Sequence, residues 1–236
     1  MQDALIFLGV GLAVTLFIVF LCRSAIRRFF YPTVPELPSV VDDSIDELLT
    51  RLETLLREKA PRIADSLADG LTDEQITELE RQHRIRLTTE LRSLYRWHNG
   101  MTDDKINLFP GQGFQPLNTA LDERDQMLDP HYDNVTQRLT SAILIGHRQH
   151  WLTVFPDWGG SGHFYDPKRR RQAGHFFYHF DEDRNYVFFP SFSNFIAYLI
   201  EAYESRCFKI RDEGETIDAD FEAAMELESK YGTNTG

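Results

Sequence analysis

LTDEQITELERQHRIRLTTELRSLYRWHNG, residues 71–100, sets the reading of the whole chain. Thr72, followed by Asp73 and Glu74 and by Gln75 three positions on, has the form of a reciprocal helix N-cap with favourable charge in the first turn. Ile76 and Leu79 then share an inward face. A second helix carries Leu91, Leu94 and Tyr95 on its inner side and is expected to stop at Asn99-Gly100, glycine being suited to a left-handed terminating position. Trp97 and His98 stand at that exit, and His98 reads there as a capping or packing residue.

On the C-terminal side the hydrophobic period changes. AILIG at 142–146, WLTVF at 151–155, HFYD at 163–166, HFFYHF at 175–180 and YVFF at 186–189 are short, rich in branched and aromatic residues, and separated by turn formers. They predict an antiparallel sheet. FPSFSNFIAYLIEAYESRCF closes the core with a helix from about Ser191 or Ser193, with Phe192, Phe195, Ile196, Leu199, Ile200 and Tyr203 on its apolar face and Glu201 and Glu204 on the wet one. A last acidic helix is expected at about 217–231, with Phe221 and Met225 four apart. On the N-terminal side, Ile45, Leu48, Leu49, Leu52, Leu55 and Leu56 recur at three- and four-residue steps and predict an amphipathic helix ending near Pro61.

Ala4–Cys22 is an uncharged apolar run followed by Arg23, Arg27 and Arg28. A run of roughly 20 apolar residues spans a bilayer core. The order of charge is the reverse of a cleaved signal, so the expectation is an uncleaved single-pass anchor with lipid as partner through residues 4–22. Positive-inside bias then leaves the N-terminus outside and the remaining domain cytoplasmic. The expected organisation is an anchor with basic flank at 1–30, a proline-bearing linker at 31–40, a domain at 41–210 and an acidic helical tail at 211–236.

The 236 residues hold 25 Lys plus Arg against 37 Asp plus Glu, a net charge of −12. Three of the basic and one of the acidic residues precede residue 31, leaving 22 against 36 in the rest. Such a surface repels nucleic-acid phosphate, and the lone KRRR run at 168–171 reads as a solvated loop. Two cysteines, Cys22 and Cys207, form no disulfide framework.

The order of these signals resembles the SMI1/KNR4 domain of the SUKH superfamily. A helix with isoleucine and glutamate, a short I-x-L segment and a helix ending near Asn-Gly match Ile76, Glu80, Ile85, Leu87, Leu91, Tyr95, Asn99 and Gly100, with Thr88 where many members have proline. Further on, ILIG, the glycine-containing turn and strand with Gly160, Gly162, Phe164, Tyr165 and Asp166, and the SFSNFIAYLIEAY helix continue the match over about 70–204. The resemblance implies an α+β fold, a curved and mostly antiparallel sheet packed by helices, here expected to be preceded by a single transmembrane helix. It also implies protein binding: many bacterial relatives are immunity proteins that neutralise toxins, and fungal relatives are linked to cell-wall synthesis and signalling.

DWGGSGHFYDP at 157–167 is the stretch where chemistry is most tempting. It lacks the lysine of a phosphate loop and has His163 where a nucleophile elbow has glycine around Ser161. A tight turn between strands built on Gly160 and Gly162 fits better, with Asp157 bonding the turn. His175, His179 and Asp181 repeat at strand spacing and offer a small-molecule hydrolase, with or without a metal, as the competing reading, although no recognised ligand motif accompanies them. The expectation is a non-enzymatic interaction domain with no catalytic residue, metal or cofactor. Trp97, Asp157, Trp158, His163 and Tyr165 are expected to frame its binding surface, with Gly100, Gly160 and Gly162 as structural turns and a basic toxin as one form of partner. A scaffold for envelope machinery is a further alternative.

Overall fold

The structure is a computed structural model. It describes residues 41, 43–128, 152–156, 162–165, 176–179, 185–189, 191–211 and 216–232. All of them belong to the unit Glu36–Gly236.

Helix α1 (Ile45–Lys59) starts on a complete capping box: the Glu47 N–H donates to Ser44 Oγ and the Ser44 N–H to the Glu47 carboxylate. Its leucines 48, 49, 52, 55 and 56 are buried. Pro61 opens α2 (Pro61–Ser66), which runs into β1 (Leu67–Asp69). Helix α3 (Asp73–Gln82) carries the expected Thr72–Gln75 box and buries Ile76. It ends with Arg84 at φ 51°, a left-handed residue that lets the Ile85 N–H reach the Glu80 carbonyl at 3.0 Å.

Helix α4 (Thr89–Trp97) buries Leu91, Leu94 and Tyr95, as its periodicity predicts. Its end differs from expectation. His98 is already extended, at φ −147° and ψ 149°, and the chain passes directly into β2 (His98–Met101). Asn99-Gly100 thus lies inside a strand rather than at a helix stop. Gly100 is left-handed there, at φ +82°, and a β-carbon on it would sit 2.4 Å from the Pro116 nitrogen. Beside it, the Asn99 side chain accepts the Leu117 N–H at 2.9 Å, which caps α5 (Leu117–Leu128). The motif is therefore a socket for the start of a helix 18 residues further on.

Four strands follow, β3 (Leu152–Pro156), β4 (Gly162–Tyr165), β5 (Phe176–His179) and β6 (Asn185–Phe189), paired antiparallel in sequence order. They match the four segments expected there; AILIG at 142–146 and the linker at 31–40 lie outside the described residues. β1 and β2 pair with each other. Gly113–Gln115 joins the two sheets, because Gly113 and Gln115 donate to the Pro156 and Val154 carbonyls while the Phe114 carbonyl accepts the Met101 N–H. The order across this surface is β1, β2, residues 113–115, β3, β4, β5, β6.

Helix α6 (Phe192–Glu204), capped by Ser191, is the core of the domain, with ten of its residues buried. Its Phe195 ring lies 5.5 Å from Phe155 of β3, 5.4 Å from Phe109 and 5.3 Å from Phe189 of β6. Packing of α1 on α6 is reinforced where Arg51 grips Glu204 at 2.7 and 2.9 Å and Lys59 donates to the carbonyls of Tyr203 and Glu204. A hairpin, β7 (Phe208–Arg211) with β8 (Thr216–Ala219), and α7 (Phe221–Tyr231) complete the unit.

The expected acidic helix therefore begins later, after a strand, and turns its two largest apolar side chains outward. Ala224, Leu227 and Tyr231 are buried, whereas Phe221 and Met225 are 76% and 55% exposed. The reason is tertiary: Asn194 of α6 donates to the Tyr231 carbonyl at 3.1 Å, and Glu201 accepts both Lys230 and the Tyr231 hydroxyl.

The α+β architecture agrees with expectation; the transmembrane helix before it is corrected. Among the described residues no helix is long and apolar enough to cross a membrane. The longest of them, α1, has 15 residues and a face of mixed charge, against the roughly 20 apolar residues that a span takes. Residues 4–22, on which that expectation rested, lie outside the described residues. The lipid partner, the membrane localisation and the orientation derived from it fall with the anchor.

Candidate functional site

The described residues include an apolar groove of about 300 Å³ beside the Gly113–Gln115 junction. Its position follows from local chemistry. Phe109-Pro110-Gly111-Gln112 is a tight turn in which proline presets φ, Gly111 takes φ +70°, and the Gln112 N–H returns to the Phe109 carbonyl at 3.0 Å. This reversal sends 113–115 along β3 and leaves the preceding loop standing over it.

The groove is walled by Met101, Ile106, Phe114, Pro116 and Pro156, with Asn107 and Thr119 as neutral polar groups. Phe114 and Ile106 are buried beneath it. Phe114 rests in turn on Phe155 at 5.3 Å and Tyr95 at 5.6 Å, so the floor is continuous with the core. Burial pushes the Tyr95 hydroxyl above its ordinary pKa and keeps it protonated. Gln115 is fixed by its amide, which donates to the Thr153 carbonyl at 2.6 Å and to Glu123 at 3.2 Å.

Asp103 and Asp104 form the rim. Asp103 accepts the Lys105 N–H at 3.0 Å in an Asx turn, which leaves a carboxylate oxygen free. Neither aspartate makes an ion pair among the described residues, and Lys105 does not line the groove. The other carboxylates of the motif region are committed. Glu80 accepts the Leu87 N–H at 2.7 Å and Arg92 at 2.8 Å, tying α3, the I-x-L segment and α4 together. Glu53 holds His98 at 2.8 Å, while the other His98 ring nitrogen meets the Ala68 carbonyl at 2.7 Å.

Of the residues expected to frame a binding surface, Trp97, His163 and Tyr165 are described, and none of the three lines the groove. Trp97 ends α4, half-buried, with its ring edge-on to His98 at 4.5 Å. His163 and Tyr165 lie in β4, opposite Phe155 and Leu152. In the hydrogen-bonding order β4 is three spacings from β2, about 14 Å away. Asp157, Trp158 and Gly160 lie outside the described residues, as do KRRR at 168–171, His175 and Asp181; His179 is in β5. Gly162 belongs to β4 and pairs with Pro156 and His179, so it stands in the ladder beside the turn. Among the described residues no group of acidic, histidine or cysteine side chains is arranged to hold a metal.

The groove residues were not anticipated. Pro110-Gly111 between apolar runs was the available signal for the turn, but pairing of 113–115 with β3 is a long-range event that no local pattern announces. A family model described as the SMI1 / KNR4 family (SUKH-1) matches residues 70–198. The chain belongs to the SMI1/KNR4 family. No curated protein matches it. The match begins at Gly70 and ends within α6, so this SMI1/KNR4 domain uses α1, α2, β1, the end of α6, the β7–β8 hairpin and α7 as additional parts of its core.

Proposed function

We propose that this SMI1/KNR4-family chain acts by binding a protein rather than by turnover, and that its partner is basic, a toxin held in a neutralised state. The observation that carries this reading is charge: beyond residue 30 the chain holds 36 acidic against 22 basic residues. Such a surface attracts a cationic protein over distance and repels anionic ones. The role of bacterial relatives as immunity proteins supports the toxin, and the described part of the domain presents an apolar, acid-rimmed groove suited to a protein surface.

The test is crosslinking of the full chain in cells of its source, identification of the partner, and calorimetry of the purified pair at two salt concentrations. Binding that weakens as salt rises is expected, since ions screen attraction beyond about 8 Å near physiological strength. Co-expression should then relieve the partner's toxicity. Turnover of a substrate by the purified chain, abolished by His179→Ala, would transfer the assignment to a hydrolase.

A further inference from the structure

We infer that the groove beside Gly113–Gln115 receives an extended segment of the protein partner that places an apolar side chain on the Phe114 floor and an adjacent lysine or arginine between Asp103 and Asp104. The inference rests on the protein-binding reading above and specifies its chemistry. Its cause is the juxtaposition of the two halves of the site. The walls of Met101, Ile106, Phe114 and Pro156 are apolar, while the rim carries two carboxylates with no cation paired to them among the described residues. A wholly apolar occupant leaves these charges facing low-dielectric material, whereas a cation offsets them.

Size sets the form of the occupant. A cavity of about 300 Å³ lies at the small end of ligand sites and holds one or two side chains, not a helix of roughly 10 Å diameter. Among the described residues the side chains of Asn107 and Thr119 have no hydrogen-bond partner, and both lie on the walls. They can bond the main chain of an extended segment. A second apolar surface, Phe221 and Met225 on α7, is flanked by Glu222 and Glu226, and two exposed side chains fall far short of the roughly 800 Å² per partner of a stable interface.

The experiment uses the full chain with methyl labels on isoleucine and methionine, titrated with capped Gly-Leu-Arg-Gly, Gly-Leu-Glu-Gly and Gly-Gly-Arg-Gly peptides. Saturable shifts of the Met101 and Ile106 methyls with Gly-Leu-Arg-Gly are expected. Binding should weaken at least about threefold when Asp103→Asn and Asp104→Asn are combined, and by a similar factor for the glutamate peptide. Loss of the response with Gly-Gly-Arg-Gly would confirm the apolar half. Shifts at Met225 in place of Met101, or no saturable shift with any peptide, would overturn the inference. So would shifts of Met101 and Ile106 that follow protein concentration alone, since these assign the groove to a second copy. If the crosslinked partner binds the doubly substituted chain unchanged, the groove assignment fails while the protein-binding function stands; if no partner binds the wild-type chain, that function itself fails.

Discussion

Gly100 and Gly111 both hold left-handed backbone, yet only one of them is enclosed. A β-carbon on Gly111 would meet nothing within 4 Å, whereas on Gly100 it would lie 2.4 Å from Pro116 N and 2.7 Å from Gln115 C. Gly111→Ala is therefore expected to cost only the left-handed term, about 1–2 kcal/mol. Gly100→Ala should cost more, because Pro116 must move and with it the α5 start that Asn99 caps. Urea unfolding of the two variants measures the difference; equal losses would show that the close approach to Pro116 carries no weight. The same neighbourhood shows what a sequence discloses at this scale. Thr72 and Gln75 are three apart and satisfy each other, so their role was legible. Asn99 and Leu117 are separated by a loop and a tight turn, so an Asn-Gly pair that looked like a helix stop proved to be the seat of another helix.

Among the elements, α7 is the one whose docking is expected to respond to protonation. Hydrogen bonds from Lys230 and Tyr231 hold the Glu201 carboxyl below its ordinary pKa, while burial raises that of Glu228 on α7 itself. The two act with opposite sign. A depressed carboxylate stabilises the fold above its ordinary range and ceases to do so as pH falls through the lowered value; a raised one favours the fold at low pH and loses that contribution as pH rises through the raised value. On acidification from neutrality, α7 should first hold or gain protection as Glu228 takes its proton, then lose it as Glu201 does. Hydrogen exchange of the α7 amides, expressed as protection factors, checks this. Glu201→Gln should already be less protected at neutral pH, by about 1 kcal/mol or less, and should lack the acid loss. A parallel acid loss in wild type and variant would remove Glu201 from the account. Legibility varied at this scale too. β3 to β6 were readable because branched and aromatic runs alternate with turn formers. β1 (LAD), β2 (HNGM) and β8 (TIDA) carry no such pattern and exist through their pairing, and the inward face of α7 was decided by Asn194 and Glu201 rather than by its own largest side chains.

The whole domain is larger than the stretch that defines its family. Five leucines of α1 are buried, each contributing about 1.5–3 kcal/mol on burial, and together they rival the 5–15 kcal/mol that holds a typical domain. Removing residues 1–40 should leave cooperative thermal unfolding intact, since the described core begins at Leu48, with Val41 and Ile45 packed against it. Removing residues 1–66 should abolish it, although the family-matched residues all remain; a cooperative melt from the shorter chain would show that α1 is dispensable. The candidate site obeys the same logic, as its walls come from β2, a loop, a junction and the end of β3, and no single stretch of sequence contains it. The Arg51–Glu204 grip spans 153 residues. A ribosome adding 5–20 residues per second takes about 8–30 s to cover that distance. For that interval the emerged N-terminal leucines have no α6 to meet, so the nascent chain carries an uncovered apolar helix far longer than microsecond helix formation requires. Synthesis, rather than sequence or stability, is where this domain is most exposed to chaperones and to aggregation.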